Sequence, residues 1–390
     1  MKKFRALWGE IEAIGRLRSG GYLRYALTEP ELVLRDWFRN QADRRDMPVT
    51  DDGNGNLFAW WGAPWGRDAV LTGSHFDSVP HGGGYDGPLG IVSGFLAVDR
   101  LRSQGYTPSR PLAVVAFVEE EGGRFGVPCL GSRLMTGAIE PAKAAALADR
   151  DGVTFGEALG TTPAGPLVNL ERRVSALVEL HIEQGRELDV PVGVASAIWP
   201  HGRWRFDFTG TGDHAGTTKM ADRRDPMLTF AYTVLAANKE ARLAGAHATM
   251  ARVEVEPNAT NAIPSLVRGW LDARAADTAT MDAVVESVVR RATDRAGRDG
   301  TEVLVTPESL SAEVSFDKSL AQRLSALLDD APILPTGAGH DAGVLSARVP
   351  TAMLFVRNPT GVSHSPAERA EDADCATGVK ALATVLRELT

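Results

Sequence analysis

Leu112 to Val118 reads LAVVAFV, seven apolar residues without a break, and runs directly into Glu119, Glu120 and Glu121. A run of this kind marks a strand covered on both faces, as in a parallel sheet. SALVELHIEQG, from Ser175, has the same character and reaches His181. DAVLTGS, from Asp68, leads into His75, and PTAMLFV, from Pro350, reads as a further buried strand. DGPLGIVSGFLAVDRLRSQG, from Asp86, carries apolar residues three and four apart, with Gly105 placed to stop a helix. Residues 29–46 are also helical in period, and GNLFAWWG, from Gly55, reads as a strand. Strands alternating with helices predict an α/β domain with a mostly parallel sheet. Sites in such sheets lie at the carboxyl ends of the strands, where His75, Glu120, Glu121 and His181 all fall.

After about residue 200 the pattern changes. RWRFDFTG, from Arg203, alternates like a half-exposed strand. A helix over 225–244 follows, then two alternating strands (ATMARVEVEP from Ala248, SLVRGWLDARA from Ser265), a helix over 278–297 and a strand in TEVLVTP from Thr301. The order strand, helix, strand, strand, helix, strand is that of a split βαβ, ferredoxin-like α+β unit. Residues 313–390 return to α/β character. A chain of 390 residues exceeds what one small core needs. The expected plan is therefore a domain of residues 201–312 inserted into one built from 1–200 and 313–390.

The formal charge of −8 gives no electrostatic reason to expect nucleic acid as a partner. Cys129 and Cys375 cannot form a disulfide framework, so a reducing, cytoplasmic location is the expectation. No stretch reaches the length of a membrane span. The N-terminal MKKFRALWGEIEAIGRLRSGG lacks an uninterrupted apolar segment and reads as an amphipathic helix, not a signal peptide.

In GSHFDSVPHGGGYDGP, His75, Asp77 and Asp86 lie within 12 residues, and Gly82, Gly83 and Gly84 would let the backbone turn tightly between them. Alone, this stretch reads equally as a polar turn, and Glu119–Glu121 as a surface acidic run. At a buried strand end, however, three adjacent carboxylates repel and need cations, protons or water. His75, Asp86, Glu121, His181 and His364 together offer five nitrogen and oxygen ligands, a set suited to two borderline divalent ions. Asp86 can bridge both. Asp77 is placed to accept the second ring N–H of His75 and fix its tautomer. Glu120 is placed to hold an attacking water and take its proton. His340 and Asp341 sit in GAGHDAG, where the glycines allow close backbone approach; His340 either supports the site and its substrate or serves the loop alone. Cys129 has no identifiable paired base, so a thiol nucleophile is not expected.

GSHFDSVPHGGGYDG, EEEGGRFG, ELHIEQG, GDHAGTT, NAIPSLVRGWLDAR, GAGHDA and GVSHSP occur in this order. Together they resemble the amidase and carbamoylase group of the dinuclear-metal peptidase superfamily, which includes N-carbamoyl-L-amino acid hydrolases, allantoate amidohydrolases and β-ureidopropionases. The resemblance runs from about Gly21 to the C-terminus. It implies a zinc-peptidase-like catalytic domain and an inserted dimerisation or lid domain. It implies His75, Asp86, Glu121, His181 and His364 as ligands of two divalent ions per subunit, with Zn²⁺ the first expectation and Mn²⁺, Co²⁺ or Ni²⁺ the alternatives. Glu120 matches the general base, Gln184 a glutamine near the substrate, and His214 a histidine that stabilises the oxyanion. Asn261 and Arg274 match the pair that grips the substrate carboxylate.

The activity implied is cleavage of a ureido C–N bond in an N-carbamoyl-L-amino acid or in allantoate, releasing ammonia and carbon dioxide, by a homodimer. A hydrolase of N-acyl-amino acids or dipeptides on the same metals is the alternative. A catalytically silent homologue would lack a ligand or the base, and none is missing. Lys219, Ser265 and His81 stand where the family usually has proline, glycine and a small residue such as asparagine. These departures affect loops around the pocket and leave the substrate's side chain open.

Overall fold

A computed structural model describes all 390 residues. The chain forms two compact units, Met1–Ala197 with Ser315–Thr390, and Ile198–Val314. In the first, the large sheet runs from its edge through Val49–Asp51, Leu57–Trp61, Leu112–Phe117, Ala69–His75, Val174–Ile182, Thr351–Val356 and Val192–Ile198. The four strands from Leu112–Phe117 to Thr351–Val356 are mutually parallel, and their flanking neighbours are antiparallel. The architecture is mixed α/β with a mostly parallel large sheet.

The apolar runs explain this arrangement. Leu112–Phe117 and Thr351–Val356 are buried at every position. Val114, Leu177, Val178 and Leu354 have no exposed surface, and burying such a side chain stabilises by roughly 1.5–3 kcal/mol. The Pro88–Ser103 helix packs on the sheet and against the C-terminal Asp372–Leu389 helix. Pro88 opens the former at a position that needs no N–H donor. The expected N-terminal helix is shorter than its sequence pattern, covering only Lys2–Trp8. Beyond it, the carboxylate of the exposed Glu10 accepts from Trp37 Nε1 (2.8 Å) and Gln41 Nε2 (2.7 Å).

Register brings the ligand candidates to one end of the sheet. His75 pairs with Phe117, two residues before Glu119, and His181 pairs with Phe355. All four parallel strands point the same way, so these ends share an edge.

In the second unit, His201–Thr209, Pro226–Ala244, His247–Glu256, Leu266–Arg274, Thr278–Asp299 and Glu302–Ser311 alternate as strand, helix, strand, strand, helix, strand. The antiparallel sheet is ordered Glu302–Ser311, His201–Thr209, Leu266–Arg274, His247–Glu256. Alternate residues of Leu266–Arg274 are buried, and Phe206, Phe208, Val267 and Leu271 meet Val284 and Val288 of the second helix. Asp225 and Asp277 cap the two helices by accepting from Met227 N and Thr280 N.

Candidate metal centre

Asp86 is the hub. Its Oδ1 lies 3.5 Å from His75 Nε2 and 3.2 Å from His181 Nε2, and its Oδ2 lies 3.5 Å from His364 Nε2. Glu121 Oε2 is 3.3 Å from the same His364 nitrogen. The ligand atoms of His75, Asp86 and His181 thus form one group, and those of Asp86, Glu121 and His364 another, each within 4.8 Å. The two oxygens of one carboxylate are divided between two ligand sets.

The donor chemistry fits divalent cations. His75 Nδ1 is 3.0 Å from the backbone carbonyl of Asp77, and His181 Nδ1 is 2.8 Å from that of Ile182. A carbonyl only accepts, so both rings carry a proton on Nδ1 and present Nε2 to Asp86. Both Nε2 atoms are buried without a hydrogen-bond partner, an arrangement that a cation satisfies. Burial opposes charge on these rings, but Glu120 and Asp86 outweigh it at His75, as Asp86 does at His181, and both rings are raised above the ordinary range. Burial would raise Asp86, yet His181 and His75 hold it well below the ordinary range.

Asp77 plays a different part from the one expected. Its carboxylate stands 3.6 Å from His75 Nδ1, and the ring's proton goes to the backbone carbonyl instead. Asp77 Oδ1 and Oδ2 accept the backbone N–H groups of Glu120 (3.1 Å) and Glu121 (3.0 Å). One residue therefore orients a histidine through its main chain and the glutamate turn through its side chain.

That turn separates the three glutamates. Glu119 adopts a left-handed backbone (φ 54°), a conformation strained for a side chain of this kind. Its Oε1 accepts from Arg124 N (3.0 Å) and Phe125 N (2.6 Å), so it faces away from the cluster. Glu120 places Oε2 3.7 Å from His75 Nε2 and Oε1 3.6 Å from Cys129 Sγ. Burial, reinforced by Asp341 and Glu121 against His75, pushes Glu120 well above the ordinary carboxylate range, as suits a base that must take up and return a proton. Cys129 does have a carboxylate neighbour, but burial and Glu120 raise its thiol, which stays a protonated donor.

The glycines between His75 and Asp86 serve close approach. Gly82, Gly83 and Gly84 are not among the residues with left-handed backbone. A Cβ on Gly83 would stand 2.2 Å from the Glu368 carboxyl carbon. Gly87 (φ 84°) both needs the left-handed region and abuts His75, where a Cβ would come within 2.5 Å of the ring.

Gln184 donates from Nε2 to Asp86 Oδ2 at 2.7 Å. His340 is buried with its ring centroid 4.5 Å from that of His181, and neither of its nitrogens has a partner. Burial, then His181, pull it well below the ordinary histidine range, so its ring is neutral.

The three remaining expected residues lie in the second unit. His214 is exposed, and its Nδ1 accepts from Gly216 N at 3.0 Å, which puts the ring's proton on Nε2. Asn261 is beside it: its carbonyl accepts from Ala215 N at 2.9 Å, and Ala262 pairs with His214. Arg274 is not. It ends the Leu266–Arg274 strand, paired with His201 and His247, whereas Asn261 precedes the strand's other end. At ~3.3 Å per residue that strand alone spans about 26 Å. Arg274 Nε donates to Asp272 Oδ1 at 2.9 Å.

Sequence reasoning passed over Glu368. It is buried, and its Oε1 accepts from Tyr85 N (2.9 Å) and Asp86 N (3.0 Å). Nothing in PAERA distinguishes it from an ordinary loop charge, because its partners lie 283 and 282 residues upstream.

Comparison with known proteins places this geometry. Residues 71–388 match peptidase family M20/M25/M40. An N-carbamoyl-L-amino acid amidohydrolase of Geobacillus stearothermophilus is 36% identical over 96% of this chain and 94% of its own length. An allantoate amidohydrolase of Escherichia coli is 32% identical over 97% of this chain and 95% of its own. The crystal structure of a hydantoinase/carbamoylase family amidase from Burkholderia vietnamiensis superposes with a TM-score of 0.89. It is 30% identical and aligns over 99% of this chain and 97% of that one.

Proposed function

The chain belongs to peptidase family M20/M25/M40, and from that premise we propose a metal-dependent amidohydrolase that cleaves the C–N bond of a ureido group. The substrate is an N-carbamoyl-L-amino acid or a related ureido acid such as allantoate. The relatives named above act on these two, and both carry a ureido group and a carboxylate. The observation that carries the reading is the division of the Asp86 oxygens between two ligand groups beside Glu120.

His75, Asp86 and His181 would hold one divalent ion, and Asp86, Glu121 and His364 the other. Zn²⁺ suits the imidazole–carboxylate set, as do Mn²⁺, Co²⁺ and Ni²⁺. When bound, such ions activate a water and polarise the scissile carbonyl. Glu120 takes a proton from the attacking water at its Oε2 and returns it to the leaving nitrogen, and the carbamate released decomposes to carbon dioxide and ammonia. Asp77 and Gln184 hold the glutamate turn and Asp86 in place. His214 offers Nε2–H to the developing oxyanion, a donation typically worth a few kcal/mol. His340 lines the site as a neutral group.

Arg274 and Asn261 would grip the substrate carboxylate, Arg274 as a permanently charged fork. Since Arg274 ends the Leu266–Arg274 strand and Asn261 lies before its start, both can meet a single small substrate when they come from different copies of the chain. A homodimer through the inserted unit, read as a ferredoxin-like dimerisation and lid domain, supplies this. Leu228, Leu235 and Leu243 leave an apolar stripe exposed on the Pro226–Ala244 helix, and His247–Glu256 is an open sheet edge beside it.

Ammonia release by the Zn²⁺- or Mn²⁺-loaded protein tests the proposal across N-carbamoyl-L-amino acids, allantoate, β-ureidopropionate and N-acetyl-amino acids. Turnover of a ureido compound is the expected result. Silence on every ureido compound, with amine released from an acyl or peptide substrate, would replace the substrate class and keep the metal centre.

A further inference from the structure

The two ligand groups around Asp86 are held by different means. His75 and His181 sit at the ends of buried strands and are wholly buried. His364 sits on a loop with 48% of its side chain exposed and a left-handed backbone (φ 55°). Its imidazole needs an anchor that no sheet provides.

Glu368 is that anchor. It follows His364 by four residues, turns inward, and is only 6% exposed. A single oxygen, Oε1, accepts both the Tyr85 and the Asp86 backbone N–H groups, while Oε2 has no hydrogen-bond partner. The space it fills exists because residue 83 is glycine, as a Cβ there would stand 2.2 Å from the Glu368 Cδ and Oε1. The carboxylate belongs to neither ligand group. It joins the His364 loop to the main chain of the residue shared by both groups.

We propose that Glu368 is a positioning residue that braces the His364 loop against Asp86 and so sets the affinity of the Asp86–Glu121–His364 group for its divalent ion. The inference rests on the metal-centre reading above. It separates the two ions: the first keeps two ligands, His75 and His181, fixed by strand ends, whereas the second relies on His364, which only this brace holds to Asp86. Gly83 is part of the same device.

Calorimetric titration with Zn²⁺ or Mn²⁺, with metal counted after gel filtration, tests it without reference to turnover. The wild-type protein is expected to take two ions. Glu368→Ala should keep one at near wild-type affinity and bind the other about 10-fold or more weakly, the usual scale for loss of a residue supporting a ligand. Glu368→Gln keeps an oxygen acceptor and should restore the second ion to within about 3-fold of wild type, well inside that scale. Gly83→Ala displaces the carboxylate while leaving every ligand in place. It should follow Glu368→Ala, and it gives the reading should that variant fail to fold. Two ions at wild-type affinity in Gly83→Ala and Glu368→Ala would overturn the proposal alone, as would equal weakening of both ions. A wild-type chain that binds no divalent ion would overturn the metal centre and this proposal with it.

Discussion

The two units carry their expected functional residues in opposite ways. In the large-sheet unit, His75, Glu120, Glu121 and His181 project from the ends of strands buried on both faces, and their neighbours fix tautomers, backbone turns and protonation. In the inserted unit, His214 is exposed on a separate two-stranded ribbon, and Arg274 is half-buried at the end of a strand with only one face in the core. Chemistry that depends on tenths of an ångström sits where packing leaves no freedom. The groups proposed to recognise the substrate sit on a less buried surface.

The contrast predicts different kinetic signatures. Glu120→Gln removes the proton acceptor and leaves all five candidate ligands, so kcat should fall by about 10²–10⁴-fold, the range for a general base, with metal content unchanged. Loss of metal together with activity would mean that Glu120 is a ligand. Arg274→Ala should leave kcat nearly intact and raise KM about 10- to 100-fold, as follows from ~1.5–3 kcal/mol for hydrogen bonds to a charged group. An unchanged KM would remove Arg274 from the carboxylate clamp and with it the argument for a shared site.

A smaller effect concerns stability after chelation. Burial and Asp77 raise Glu119 to about 8, and burial and Asp86 raise Glu368 to about 7. Burial opposes charge on His364, but Glu121 and Asp86 outweigh it and lift the ring to about 9. Each group keeps its proton in the fold at pH values where the unfolded chain has lost it. The stability each contributes is full below its ordinary value and is lost as pH rises through its folded value. Asp86, held low, acts only in more acid solution. The melting temperature of the chelated protein should therefore fall by a few degrees between pH 5 and 9, and metal should flatten the curve. A chelated protein that gains stability over this range would contradict the charge assignments.

The fold was legible where burial was two-sided. LAVVAFV and TAMLFV can only be central strands, and their parallel order put His75, Glu120, Glu121 and His181 at one edge. Direction was not legible. The letters do not show that Asp77 meets His75 through its carbonyl, or that Gly83 makes room for a carboxylate. Nor does NAIPSLVRGWLDAR show that its asparagine lies before one end of a strand and its arginine at the other, since spacing along a strand is distance as well as order. The N-terminal helix was overestimated because Glu10, on a well-formed helical period, finds tertiary partners in Trp37 and Gln41.

The left-handed turn at Glu119 has a consequence for reading variants of this chain. Three identical codons' worth of chemistry, Glu119, Glu120 and Glu121, face the Arg124–Phe125 main chain, the His75 ring and the His364 ring respectively. On the roles proposed above, the same edit, glutamate to glutamine, is three unrelated lesions at adjacent positions: a loosened loop, a lost base and a weakened ligand. A substitution score built on residue type or local composition assigns them one value. Only the direction in which each side chain leaves the backbone tells them apart.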